Sequence, residues 1–212
     1  LCRKLQSGGA FSPDAKSAGR RALRNVLLRY LTAADDEAAA TIADTHYRNA
    51  TNMTDMIAGL AALSRMESSK RKAAFDHFHD RFQNDPLVLD KWMGLQAGSP
   101  RAAVAADVRA LMKHPAFDMK NPNRVRALVG AFAGNHLRFH AADGSGYRLL
   151  GETVRALDSI NPQVAARMSG AFENWRRYDE NRQNLMRAEL DAALKQPGVS
   201  DNMFEVASKM LG

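Results

Sequence analysis

NPNRVRALVGAFAGNHLRFHAADGSGY, residues 121–147, begins as a helix. Asn121 offers a side-chain oxygen to the free amides of the first turn, and Pro122 stands at the first helical position, where a missing N–H costs nothing. Val125, Leu128, Val129 and Phe132 then recur at i, i+3, i+4 and i+7, the spacing of one buried helical face. Gly134 or Asn135 can stop that helix. A twelve-residue connection follows and ends in Asp143-Gly144-Ser145-Gly146, before a second helix expected from about Tyr147. Helical hairpins usually need about 2–8 connecting residues, so this longer, glycine-rich link is expected to have a role of its own.

The same cap-and-stripe pattern extends in both directions. Downstream, Tyr147, Leu150, Val154 and Leu157 form a stripe, and Asn161-Pro162 opens a helix carrying Val164, Met168, Phe172 and Trp175. Its partner carries Met186, Leu190 and Leu194. Gln196-Pro197-Gly198 breaks the chain, and a last helix, capped by Ser200 or Asp201, holds Met203, Val206, Ala207 and Met210. Upstream, Ser99-Pro100 opens a helix with Val104, Val108 and Leu111, and Asp85-Pro86 one with Leu89, Trp92 and Met93. Before these, Asn52 starts a helix bearing Met53, Met56, Ile57 and Leu60, followed by one bearing Phe75, Phe78, His79 and Phe82. The first pair runs from about Pro13 to Leu31, with Leu23, Val26, Leu27 and Tyr30 on one face, and from about Asp35 to Arg48, with Ala39, Ile42, Ala43 and His46. No stretch reads as a strand.

The pair starts at about 52, 86, 121, 161 and 200 lie 34 to 40 residues apart, near the period of HEAT and armadillo repeats. A helix pair cannot bury its apolar stripe alone; stacking on its neighbours does so and produces a concave inner surface. The expected fold is all-α, a HEAT/armadillo-like α-solenoid of stacked helical hairpins, with residues 13–212 as a single domain. Residues 1–12, with Gly8-Gly9, read as a lead-in from an upstream part. Leu1 without an initiator methionine also reads as the start of a fragment.

Composition narrows the function classes. The only cysteine, Cys2, excludes an internal disulfide and a cysteine-based zinc module, and it is compatible with a reducing, cytoplasmic setting. No run approaches the roughly 18 apolar residues of a membrane span. The net charge of +7 raises nucleic acid as a partner, but the basic residues are interleaved with acids. The clusters Arg20-Arg21 with Arg24, Lys70-Arg71-Lys72 and Arg176-Arg177 read as solvated helix faces and ends. Neither nucleic acid nor membrane is therefore expected as a partner.

A search for catalytic chemistry finds little. Zinc peptidases place two histidines at i and i+4 around a glutamate, and none of the six histidines here does so. His77 and His79 are two apart, so on a helix they diverge by about 200 degrees; His79 falls on the apolar stripe and is expected to be a hydrogen-bonded core residue. Cys2 lacks a nearby base, and Ser145 lacks the strand-turn-helix setting of a nucleophile. Asp143-Gly144-Ser145-Gly146 reads as a turn and helix start, with a lesser reading as a cavity wall. The ten methionines fall largely on core stripes. Among polar residues, Arg126 shares its helix side with the small Gly130 and Ala133, and Gln163 and Arg167, four apart, project together beside Val164 and Met168. The ordinary alternative for these three is a set of surface salt bridges.

The chain resembles the C-terminal domain of bacterial aminopeptidase N enzymes, zinc metallopeptidases of the M1 family. The resemblance is carried by Asn-Pro-Asn-Arg-x-Arg at 121–126, Gly-Ala-Phe-Ala-Gly at 130–134, Phe-His-Ala-x-Asp-Gly-Ser-Gly-Tyr at 139–147, Asn-Pro-Gln-Val-Ala at 161–165 and Arg-Tyr-Asp at 177–179. Asn52-Met53-Thr54-Asp55 and Asp90-Lys91-Trp92 extend it upstream; Asn135-His136-Leu137-Arg138 departs from it. The resemblance implies the same helical fold and a noncatalytic cap that encloses the active-site cavity and controls peptide access. It also implies that Arg126, Gln163 and Arg167 contact peptide substrates. Zinc and the catalytic residues would belong to a catalytic domain of the same polypeptide, so residues 1–212 are expected to hold no cofactor and perform no catalysis alone. The rival expectation is a freestanding solenoid that binds protein or nucleic acid.

Overall fold

In a computed structural model of the chain, the described residues are Leu5, 11–34 and 36–212; Cys2, Gly8, Gly9 and the expected helix start at Asp35 lie outside them. Every regular element among the described residues is helical. None of these helices is long and apolar enough to cross a membrane. The chain divides into two compact units, residues 1–85 and 86–212.

The first unit holds α1 (Ala15–Leu31), α2 (Glu37–Arg48), α3 (Met53–Leu63) and α4 (Ser69–Phe82). Asp14, Asp36, Asn52 and Ser68 cap them, each accepting an amide N–H of the first turn. α2 lies close against α3: a Cβ on Gly59 would stand 2.7 Å from the Tyr47 Cβ, so only hydrogen fits there. That approach requires small side chains, so α2 turns Ala39, Ala40 and Ala43 inward with Tyr47. Ile42, expected in the core, is exposed, and His46 is half-buried. The Tyr47 hydroxyl meets His77 Nδ1 at 2.7 Å. His79, expected in the core, is half-buried on the same helix.

Most of the expected face of α1 turns outward. Leu23, Val26 and Tyr30 are exposed, Leu27 is half-buried, and the inward side carries Leu28 and Thr32. With them comes Arg24, which forms an ion pair with the Asp55 carboxylate of α3. Asp55 is 2% exposed. Asn52 holds it twice, donating to Asp55 Oδ2 at 2.8 Å and accepting its backbone N–H at 3.0 Å. A buried carboxylate needs a counter-charge, and that need fixes the rotation of α1 against the apolar pattern of its own sequence. Arg24 is therefore not part of a solvated basic face.

The second unit contains α5 (Pro86–Ala97), α6 (Val104–Leu111), and a composite helix α7 built from Pro122–Val125, Arg126–Gly130 and Ala131–Ala133. A short α8 (His136–Phe139) leads to α9 (Ser145–Asp158), α10 (Pro162–Ser169), α11 (Glu180–Lys195) and α12 (Asp201–Leu211), with 3-10 turns at Gly170–Phe172 and Trp175–Arg177. α5 packs on α6 and α7, α6 touches α9, α9 packs on α10 and α11, and α12 closes against α10 and α11. Within this unit, successive helices stack as armadillo-like hairpins do. Its core holds the expected stripes, with Val125, Leu128, Val129, Phe132, Tyr147, Leu150, Val154, Leu157, Phe172 and Leu190 all buried.

Polar ties hold the stack. Arg124, 5% exposed, donates to Asp90 Oδ1 at 2.7 Å and so fastens α7 to α5. Buried Asp158 accepts from Gln196 Nε2 at 3.0 Å and from the Ser200 amide at 2.9 Å, fixing the turn before α12. Three expectations are corrected here. α6 starts at Val104 after a turn, not at Pro100. The 135–146 link contains α8, anchored because Asn135 Nδ2 donates to the carbonyls of Ala97 (3.2 Å) and Ser99 (2.7 Å) and Arg138 donates to that of Pro100. Residues 126–130 of α7 are π-helical, the Ala131 N–H reaching back to the Arg126 carbonyl.

Candidate functional site

A cavity of about 470 Å³ opens where α7 and α10 face each other. Arg126, Gly130 and Ala133 contribute one wall; Gln163, Val164, Arg167 and Met168 contribute the other. The spacing explains the convergence. Residues 126, 130 and 133 stack along one strip of α7, while 163 and 167 stand one turn apart on α10. Gly130 and Ala133 leave space, and Val164 and Met168 supply an apolar floor. The three polar residues singled out from the sequence thus line a single cavity.

Arg126 is exposed and its guanidinium is held over its own helix start. Nε donates to the Pro122 carbonyl at 3.2 Å and Nη2 to Asn123 Oδ1 at 2.8 Å. Both acceptors are neutral, so the positive charge is not cancelled. Among the described residues neither Arg126 nor Arg167 is ion-paired, in contrast to Arg124 two positions away. Arg126 and Gly130 are also the first and last residues of the π-helical segment, a distortion of the kind that recurs at functional sites. No residue type in the sequence marks it.

Two permanent cations, one neutral amide and an apolar floor can grip a carboxylate or backbone carbonyls beside an aliphatic chain. They cannot move protons, because a guanidinium does not deprotonate in this setting.

A second constellation joins two sequence motifs. His140 Nδ1 meets the Tyr147 hydroxyl at 2.8 Å, and His140 Nε2 meets the Tyr178 hydroxyl at 2.8 Å. Arg182 Nε donates to the His140 carbonyl at 2.8 Å. A neutral imidazole donates from one nitrogen and accepts at the other, so one tyrosine accepts while its counterpart donates. Burial pushes the His140 pKa down, aided by neighbouring His136 and Arg182. Burial also raises that of Tyr147 to about 12. A Cβ on Gly146 would stand 2.3 Å from the Phe139 carbonyl, so the turn packs directly on α8. These contacts give the 139–147 and 177–179 motifs a packing role. Ser145 opens α9, its amide donating to Asp143 Oδ1 at 2.9 Å.

Among the described residues no three His, Cys, Asp or Glu side chains converge as metal ligands. The described residues do not fit a zinc ion. The basic clusters have local partners: Lys72 pairs with Asp76 at 2.5 Å, Lys70 with Glu37, and Arg176 donates to the Met210 and Leu211 carbonyls at 2.7 and 2.9 Å.

The sequence profile of the family described as "Domain of unknown function (DUF3458_C) ARM repeats" matches residues 1–212. The chain is 43% identical to the aminopeptidase N of Caulobacter vibrioides over 99% of its own length and 24% of that protein. It is 42% identical to that of Escherichia coli over 95% of its length and 23% of that protein. Among solved structures, aminopeptidase A of Legionella pneumophila, in complex with aspartic acid, superposes with a TM-score of 0.90 at 31% identity, covering 99% of this chain and 26% of that one. The chain therefore spans about a quarter of the length of the relatives it matches.

Proposed function

Because the chain belongs to the DUF3458_C family of armadillo-repeat domains, we propose that it is the noncatalytic C-terminal cap of a larger M1 zinc aminopeptidase that releases N-terminal amino acids from peptides. Its similarity to a quarter of each aminopeptidase N supports the larger polypeptide. The unbroken family profile supports reading residues 13–212 as a single domain, with residues 1–12 as a lead-in. In this proposal the cap encloses the active-site cavity, its partner is the catalytic domain of the same polypeptide, and the setting is cytoplasmic. Zinc and its ligands lie outside these residues.

The observation that carries the reading is the convergence of Arg126, Gln163 and Arg167 on one cavity with an apolar floor. Uncancelled guanidinium groups suit the carboxylates and carbonyls of a peptide, and the small side chains of Gly130 and Ala133 leave it room. Enclosure would exclude large folded substrates and keep bulk water from the reacting centre. The test is kinetic. In the complete enzyme, Arg126→Ala and Arg167→Ala should each lower kcat/KM for a peptide about tenfold, the scale of one charge-assisted hydrogen bond, and leave a short chromogenic amide nearly unaffected. Equal losses on both substrates would count against a peptide contact.

A further inference from the structure

The π-helical turn of α7 displaces one carbonyl. In an α-helix the Ala131 N–H would bond to the Ala127 carbonyl, four residues back; here it reaches the carbonyls of Arg126 and Leu128 instead. The Ala127 carbonyl thus loses the amide that a regular helix would give it. Its oxygen faces α5, where a Cβ on Gly94 would stand 3.3 Å away. That is tighter than ordinary van der Waals contact, so a side chain at position 94 would press on the carbonyl.

Gly94 is flanked on α5 by two residues that fasten the chain on either side of the turn. Asp90 accepts from Arg124 at 2.7 Å before it, and the Ala97 carbonyl accepts from Asn135 at 3.2 Å after it. Positions 90, 94 and 97 follow the i, i+4, i+7 spacing of one helix face, so a single strip of α5 meets the chain before, at and after the π turn. With both ends fastened, tightening the turn to α geometry rotates residues 126–130 about the helix axis. One residue of register is about 100° of rotation, enough to carry Arg126 away from Gln163 and Arg167.

We propose that Gly94 is a positioning residue for the peptide contact. By leaving room for the Ala127 carbonyl it keeps residues 126–130 in the π form, and the π form keeps Arg126 at the cavity. Gly94 itself is not among the residues that line that cavity, so it acts through Arg126. The proposal rests on the reading of the cavity as a peptide-contact surface.

A double-mutant cycle in the complete enzyme tests it, with a peptide and a short chromogenic amide as substrates. Gly94→Ala should raise KM for the peptide about fivefold, leave its kcat unchanged, and leave both constants for the chromogenic amide unchanged. In an Arg126→Ala background the same substitution should add nothing, because its effect passes through the Arg126 side chain. An unchanged peptide KM in the single variant, or the same rise in both backgrounds, would overturn the proposal. Deleting Ala127 removes the residue by which a π turn exceeds an α turn, and covers the case in which Gly94→Ala does not fold. A similar rise in peptide KM then supports the proposal, and a wild-type KM refutes it. The cavity reading fails separately, if Arg126→Ala alone leaves peptide turnover unchanged.

Discussion

In α1, Arg24 is turned inward onto Asp55 while Leu23, Val26 and Tyr30 face outward. Along α7 and α10 the arrangement is the opposite: Val125, Leu128, Val129 and Met168 are buried, while Arg126 and Arg167 stand exposed at a cavity. The physical difference lies in what cancels each charge. Arg24 and Arg124 each have a carboxylate, Asp55 or Asp90, and both are spent on holding helices together. Arg126 has only neutral acceptors from its own first turn. A guanidinium neutralised inside the fold acts as structure, and one left uncompensated beside an open volume is available to a ligand. Arg124 and Arg126 make the point within one helix, since two residues of separation turn them to different sides.

The comparison breaks most readily at Asp55. Asp55→Ala leaves Arg24 facing the interior without a partner and should cost about 3 kcal/mol in urea unfolding, the scale for halving a buried pair. A loss within experimental error would mean that Arg24 escapes to water and that the pair does not orient α1. Arg126→Ala, by contrast, should stay within about 0.5 kcal/mol of wild type, as expected for an exposed side chain.

The two regions also differ in how closely their helices approach. Gly59→Ala would force a Cβ to within 2.7 Å of the Tyr47 Cβ and 2.8 Å of its Cα, both fixed by the backbone. It should destabilise the first unit by about 2 kcal/mol. Gly130→Ala, on the cavity wall, has nothing nearer than the Arg126 Cβ at 3.8 Å. It should leave the fold intact, stabilise the helix by up to about 0.5 kcal/mol, and narrow the cavity. Calorimetry of the two variants should therefore give shifts of opposite sign.

Acid should weaken both regions through their histidines. His46 is pushed down by burial and by Arg24, and His140 by burial, His136 and Arg182. A lowered pKa means that the unfolded chain takes a proton the folded chain refuses, so stability is full above the ordinary histidine value of about 6.5 and declines as pH falls through it. Unfolding midpoints measured from pH 8 to pH 5 should fall on the acid side, and replacing His140 with Gln should flatten part of that slope. A flat profile in the unsubstituted protein would contradict the burial of these rings.

Much of the second unit is legible in the sequence because its signals are local. The helix starts read at Pro86, Asn121, Asn161 and Ser200 coincide with observed starts, as does that at Asn52 in the first unit, since a cap or proline acts within one turn. The face of α1 escapes local periodicity because Arg24 pairs with Asp55, 31 residues away. Likewise, the join between His140 and Tyr178 spans 38 residues and leaves no periodic trace. The α10 wall of the cavity followed from i, i+4 spacing at Gln163 and Arg167, and the Arg126 wall from small neighbours at Gly130 and Ala133. The π-helical turn from Arg126 to Gly130 follows from nothing in the residue types, because the stripe from Val125 to Phe132 fits a regular α-helix equally well.

The most direct test of the cavity as a peptide-contact surface is hydrogen exchange on the full-length enzyme with and without a slowly hydrolysed peptide. Amides of residues 126–134 and 163–171 should exchange more slowly when the peptide is bound, and that protection should vanish in the Arg126→Ala/Arg167→Ala double variant. Unchanged exchange in both segments, with the peptide shown to occupy the active centre, would contradict the account.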